Sequence, residues 1–198
     1  MKNLAIVIFC SFLFVLPRAQ AAISPISVGI VPPVQFPPED FTVTGIRVSA
    51  IFGQHRHVYG IDVGAIGNIT TQDFGGIAVS GIFNRTMGTT TIIGAQLAGI
   101  ANVNSQKTSV VGVQAALVNS NSAVSSIVGL ELGPLANLSE HTKIYGFQVG
   151  LYNKADEVYG FQIGLLNMVS SMHGLQIGLV NINEKGLFKV CPIINFGF

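Results

Sequence analysis

Tryptophan is absent, and only 10% of the 198 residues are charged. Ten Lys+Arg stand against nine Asp+Glu. That balance cannot build the basic face a phosphate backbone demands, so a nucleic-acid binder is excluded. Low charge with 49% hydrophobic residues and a mean hydropathy of +0.57 equally excludes a disordered chain, which cannot bury enough apolar surface to fold. Cysteine is scarce. Cys10 lies in an N-terminal apolar run and Cys191 alone makes no internal disulfide, so this is not a stapled mini-domain. A sustained helical period is also missing beyond that apolar run. What is present in quantity is glycine, with 23 residues.

Residues 1–21 read as a secretory signal peptide. Lys2 is the charged start, Leu4 to Leu16 is an apolar run closed by Pro17, and Ala19-Gln20-Ala21 fits the small-x-small cleavage pattern. The run is shorter than the ~20 residues of a spanning helix. Cleavage before Ala22 leaves eight basic and nine acidic residues, a net charge of −1. A lead-in over 22–43 follows, kept extended by Pro25, Pro32, Pro33, Pro37 and Pro38.

From residue 44 to 198 the chain repeats itself. Tyr145–Asn153, Tyr159–Asn167 and His173–Asn181 share a Gly-φ-Gln-φ-Gly-φ-φ-Asn core at a spacing of 14 residues. Leading glycines continue upstream at Gly45, Gly60, Gly76, Gly94, Gly112 and Gly129, spaced by 15 to 18, and a degenerate copy ends the chain. Such self-similarity has to be explained before anything else. Within a unit the pattern has period two: Tyr145, Phe147, Val149, Leu151 and Asn153 on one face, Gly146, Gln148 and Gly150 on the other. That is a strand, so the fold class is all-β.

Two architectures suit such units, an antiparallel meander and a parallel β-solenoid. Nine alternating residues span about 30 Å at ~3.3 Å each. The five that follow, Lys154 to Val158, cover at most about 18 Å, too little for a solenoid's return path but enough for a hairpin. The even repeat with an odd loop also keeps like faces together. The expectation is therefore an antiparallel meander closed into a barrel of about ten strands, with the solenoid as the alternative. Strands of about nine residues match the ~9–11 that cross a bilayer, and charges such as Lys154, Asp156, Glu157, Glu184 and Lys185 gather in turns. Tyr145 and Tyr159 would then sit at opposite rims.

The last segment alternates through Val190, Pro192, Ile194, Phe196 and Phe198, and resembles the C-terminal signal of Gram-negative outer-membrane barrel proteins. The resemblance implies Phe196 and Phe198 as a membrane-insertion signal, with outer-membrane lipid and the barrel-insertion machinery as partners. Pro192 departs from it, because proline fits only a sheet edge or bulge. The tandem units are similar to those of bacterial surface repeat-containing proteins of the spirochaete type. That resemblance implies an exported protein of the outer membrane or cell surface and brings no enzymatic residues with it.

The residue two after each leading glycine is the polar one: Arg47, Asp62, Gln96, Gln114, Glu131, Gln148, Gln162 and Gln176. In a barrel these face the lumen and select solutes. Their structural alternative is a filled interior in which Arg47 neutralises Asp62 and the amides satisfy one another. The recurring Asn is expected to open turns. His55-Arg56-His57 is a His-x-His pair without a third ligand and reads as a solvated turn. No nucleophile elbow and no phosphate-binding loop occurs, so neither catalysis nor a cofactor or metal is expected. The functional expectation is a structural or surface-exposed barrel, a narrow pore included. Its alternative is an exported solenoid acting as a binding or adhesion surface.

Overall fold

A computed structural model describes residues 22–198; the signal-peptide expectation lies outside them. The first half runs β1 (Ile23–Val31), β2 (Val34–Phe36), β3 (Thr42–Ser49), β4 (Phe52–His55), β5 (His57–Gly64), β6 (Gly67–Thr70), β7 (Phe74–Ser80) and β8 (Phe83–Thr86). The second half runs β9 (Thr90–Ala98), β10 (Ala101–Asn104), β11 (Thr108–Ala115), β12 (Val118–Asn121), β13 (Ser125–Leu132), β14 (Ala136–Val149), β15 (Tyr152–Ile163), β16 (Leu166–Asn183) and β17 (Val190–Gly197).

Each repeat is one coil of a parallel β-solenoid of about nine turns, not one strand of a closed barrel. A long strand, a tight turn, a four-residue return strand and a second turn complete a coil. Long strands stack in parallel through β3, β5, β7, β9, β11 and β13. Return strands stack beside them through β4, β6, β8, β10 and β12. In β14, β15 and β16 a return strand runs on into the next long strand; through β15 and β16 it does so without extra residues and the coil needs only 14, whereas β14 holds a register shift between Ser139 and Lys143. Longer upstream units place their extra residues in the turns. The ladders therefore stay in register, Gly146 over Gly129 and Gln148 over Glu131.

The barrel expectation fails on one local feature. The alternating segment Tyr145–Asn153 is not a single strand, because the chain bends at Gly150-Leu151 between β14 and β15. Beyond the bend the side-chain parity flips. Asn153 therefore points inward beside Gln148, not outward with Phe147. The return path needs only Tyr152 to Ala155, so the five-residue limit never applied. The recurring Asn are strand residues; the only non-glycine residue with positive φ among those described is Ile193.

Positive φ belongs instead to the leading glycines. Gly146, Gly160 and Gly174 have φ of 137°, 141° and 145°, a region side chains rarely adopt. A Cβ on Gly160 would run into the carbonyl oxygen of Gly146 in the coil beneath. The column is glycine because coils touch there backbone to backbone.

Both ends are closed by antiparallel pairing. β1 pairs in parallel with β3 and carries β2 antiparallel on its other side, so part of the proline-rich lead-in belongs to the first coil. At the other end β17 runs antiparallel to β16, with a register break between its Ile193 and Cys191 that holds Pro192. Covering terminal strands in this way limits edge-to-edge growth.

Candidate functional site: a polar interior beneath an apolar exterior

The interior consists of columns, one residue per coil. One is apolar: Val43, Val58, Phe74, Ile92, Val110, Ile127, Ile144, Val158 and Met172, all at most 2% exposed. Full burial stabilises each by roughly 1.5–3 kcal/mol. The other interior columns are largely polar, which is tolerable only if every amide finds a partner.

Most do so by bonding to one another, and the exceptions, Gln114 and Gln176 Oε1 among them, are few. In the Asn column each Nδ2 donates to the Oδ1 one coil further on: Asn137 to Asn153 at 2.7 Å, Asn153 to Asn167 at 2.8 Å, Asn167 to Asn181 at 2.7 Å. The second amide hydrogen ties down the turn; Asn153 Nδ2 also donates to the carbonyls of Gly150 and Ile163. The Gln column runs the other way. Gln162 Nε2 donates back to Gln148 Oε1 and Gln176 Nε2 to Gln162 Oε1, each at 2.7 Å. Two amide ladders of opposite polarity thus run side by side, and their dipoles oppose.

The sequence pattern places Arg47, Asp62, Gln96, Gln114, Glu131, Gln148, Gln162 and Gln176 around a lumen. All eight point into the solenoid and are at most 3% exposed. With no barrel there is no bore for them to line. Arg47 and Asp62 form a buried ion pair in adjacent coils, with Arg47 Nε donating to Asp62 Oδ1 at 2.7 Å and Nη2 to Oδ2. Arg47 Nη1 donates to the Ile69 carbonyl at 3.0 Å and lies 3.3 Å from His55 Nδ1. His55 is not a solvated turn residue: it is 1% exposed, with Nε2 3.2 Å from the Pro37 carbonyl. Burial, reinforced by the Arg47 charge, lowers its pKa to about 4. Neutral His55 therefore accepts from Arg47 at Nδ1 and donates to Pro37 from Nε2. His57 stacks on Tyr59 outside. Among the described residues no three His, Cys, Asp or Glu side chains cluster as a metal site.

Glu131 interrupts the Gln column. Asn121 Nδ2, Ser139 Oγ and Gln148 Nε2 all donate to its carboxyl, at 2.9, 2.9 and 2.8 Å. Desolvation outweighs these bonds and raises its pKa to about 7. One coil back, Gln114 Oε1 is buried without a donor. A glutamine at this position would supply the missing N–H; a carboxylate cannot.

The exterior inverts the usual order. On the outer side of the long strands run the columns of Ile61, Ile77, Phe147 and Phe161, and of Val48, Val63, Val79 and Ile163, all between 38% and 48% exposed. Phe147 and Phe161 stack at 5.1 Å between ring centroids. Nearer the second turn, Tyr145, Tyr159 and His173 stack at 4.9 and 4.4 Å. The first turn carries a further column, whose Leu151 the sequence pattern put on the apolar face without showing the whole stripe: Ile51, Ile66, Ile82, Ile100, Leu117, Leu135, Leu151, Leu165 and Leu179, from 37% to 67% exposed. Its signal was legible as the aliphatic residue that follows a glycine or alanine in most units. The second turn carries charge, including the ion pairs Lys143–Glu157 at 2.9 Å and Lys154–Glu140 at 2.6 Å. Phe196 and Phe198, at 47% and 100% exposed, lie on the terminal strand and its end.

The site is thus a surface rather than a cleft: a rigid, repetitive apolar plate held by a hydrogen-bonded polar interior. No family model, curated protein or solved structure matches this chain.

Proposed function

We propose that the protein is a non-catalytic, exported β-solenoid whose apolar exterior is a binding surface at the outer membrane or cell surface. One observation carries the reading: the amides are inside and the aliphatic and aromatic columns outside. Repetition is in register, so side chains of one kind form continuous stripes along the solenoid. With coils ~4.8 Å apart, nine coils give stripes of roughly 40 Å. Five residues wide at ~3.3 Å each, the flat long-strand side alone then has a footprint of roughly 650 Å², comparable with the ~300–600 Å² of the largest patch on a typical soluble monomer before the first-turn column is added. An exterior of that size is costly in water and marks a surface that is covered in use. The predicted signal peptide supports export, and the resemblance of the units to bacterial surface repeat proteins agrees with it.

The test is fractionation of the full chain produced in a Gram-negative host. Wild type should be recovered with membranes or the cell surface. A Phe147→Ser/Phe161→Ser/Leu165→Ser variant, altered only outside, should move to the soluble fraction with its β circular dichroism intact. Equal partition of the two proteins would refute the reading.

A further inference from the structure

We infer that the surface is covered by lipid: the solenoid inserts its first-turn edge into one leaflet of a phospholipid bilayer, with the Ile51-to-Leu179 column deepest. The inference rests on the binding-surface reading above and adds the identity of what covers it.

Three observations select lipid over a flat protein partner. The first is a gradient across the C-terminal coils, upstream of which Ser109, Ser126, Val111 and Val128 stand at the positions of the charges and tyrosines. From the second turn toward the first, the columns run through the Lys143–Glu157 pair, the Tyr145–Tyr159 stack, the Phe147–Phe161 stack, Val149 with Ile163, and the edge residues Leu151 and Leu165. Charge, then tyrosine, then hydrocarbon is the order met on entering a bilayer, where tyrosine favours the interface. The lengths agree. Phe147 stands four residues from Leu151, at most about 13 Å with the bend at Gly150, and Tyr145 at most about 20 Å. Half of a ~30 Å hydrocarbon core is about 15 Å, which places the phenylalanines within the chains and the tyrosines among headgroups.

The second observation is shape. The apolar surface turns the corner at the edge and continues onto the return strands through Phe52, Phe83, Val118, Tyr152, Leu166 and Val180, half-buried or exposed. A second copy laid on the long-strand side would leave that corner wet, whereas a fluid phase wraps it. The next return-strand position, about 10 Å on, is mixed: Gln54, Arg85 and Lys154 alternate along the stack with Ile69, Val103, Leu138 and Met168. The solenoid therefore leans, with its long-strand side covered more deeply. The third is the backbone. Hydrogen bonds run from coil to coil within the stack, so its flank presents side chains and no unpaired ladder groups, the condition for contact with hydrocarbon.

The natural absence of tryptophan makes the test direct. The full chain as exported is mixed with phosphatidylcholine vesicles, with and without phosphatidylglycerol, and floated on a density gradient. Wild type should float with both, since the net charge is near zero, and the triple serine variant should remain at the bottom. Single reporters Leu165→Trp, Tyr159→Trp and Glu157→Trp are then read with brominated lipids. Position 165 should be quenched most by bromines deep in the chains, 159 by shallow ones and 157 by neither. Leu151→Trp serves as a second deep reporter if position 165 does not tolerate the change. Failure of wild type to float, or quenching in another order, overturns the lipid assignment. A non-floating protein that sediments as a dimer, and becomes monomeric on triple substitution, would assign the surface to a second copy and leave the binding-surface reading standing. A non-floating monomer whose fractionation the triple variant does not change would remove both.

Discussion

Replacing Glu131 by glutamine should stabilise the protein at neutral and alkaline pH and do nothing in acid. The carboxyl is raised from an ordinary 4.5 to about 7, chiefly by burial. At ~1.36 kcal/mol per pH unit, that displacement amounts to about 3 kcal/mol of destabilisation once the group is ionised. Its sign follows from proton counting. Between pH 4.5 and 7 the folded chain holds a proton that the unfolded chain has released, so stability falls as pH rises through that window and is flat above it. Below 4.5 both states are protonated and the penalty vanishes. The Glu131→Gln variant removes the ionisation and offers Gln114 Oε1 at every pH the donor that the carboxyl supplies only while protonated, still accepting from Gln148. Urea unfolding of both proteins from about pH 4 to about pH 8 measures this. His55 complicates either curve alone. Its pKa is lowered to about 4 by burial and Arg47, so its contribution rises with pH between about 4 and 6.5, opposing Glu131. The difference between variant and wild type cancels it. That difference should grow from near zero at the acid end to about 3 kcal/mol at the alkaline end. A difference independent of pH would refute a buried carboxyl at this position.

Gly160→Ala should destabilise severely, by roughly 2–4 kcal/mol or more, since the new Cβ collides with the Gly146 carbonyl on a backbone with φ of 141°; thermal melting checks it. Asn153→Ala removes bonds to Asn167, Gly150 and Ile163 and strands the amide donor of Asn137, a loss of roughly 2–4 kcal/mol by denaturant titration. Arg47→Met leaves Asp62 buried without its partner and should cost about 3–5 kcal/mol, whereas the double change Arg47→Met/Asp62→Ala should recover most of it; the same titration reads both. Deleting residues 160–173 removes one coil and brings Gly174 onto Gly146; the shortened protein should still melt cooperatively with β circular dichroism.

The strand class, the unit length and the division into apolar and amide faces were all visible in residues 145–181, because period-two alternation depends on local geometry alone. Direction of pairing was not. Whether Tyr159 lies over Tyr145 or across the sheet from it depends on where the chain bends, and Gly150-Leu151 continues the same alternation through the bend. A glycine that permits a corner and a glycine that relieves crowding look alike in sequence. The Asn column was misplaced for the same reason, since counting by twos across an unseen turn assigns Asn153 to the wrong side. Pairing of Arg47 with Asp62 could be inferred because both stand near the middle of their units, where adjacent strands bring them close in either architecture. Glu131 stood out only as a carboxylate in a run of glutamines; its orphaned neighbour needed coordinates.

In-register parallel stacking is tested most directly by the distance between equivalent positions of adjacent units. Tyr145→Cys/Tyr159→Cys in a Cys191→Ser background, spin-labelled at both positions, reports it. The native rings lie 4.9 Å apart, so strong dipolar broadening is expected in the folded protein. A separation of about 25 Å, as for opposite ends of antiparallel strands of this length, would contradict the solenoid.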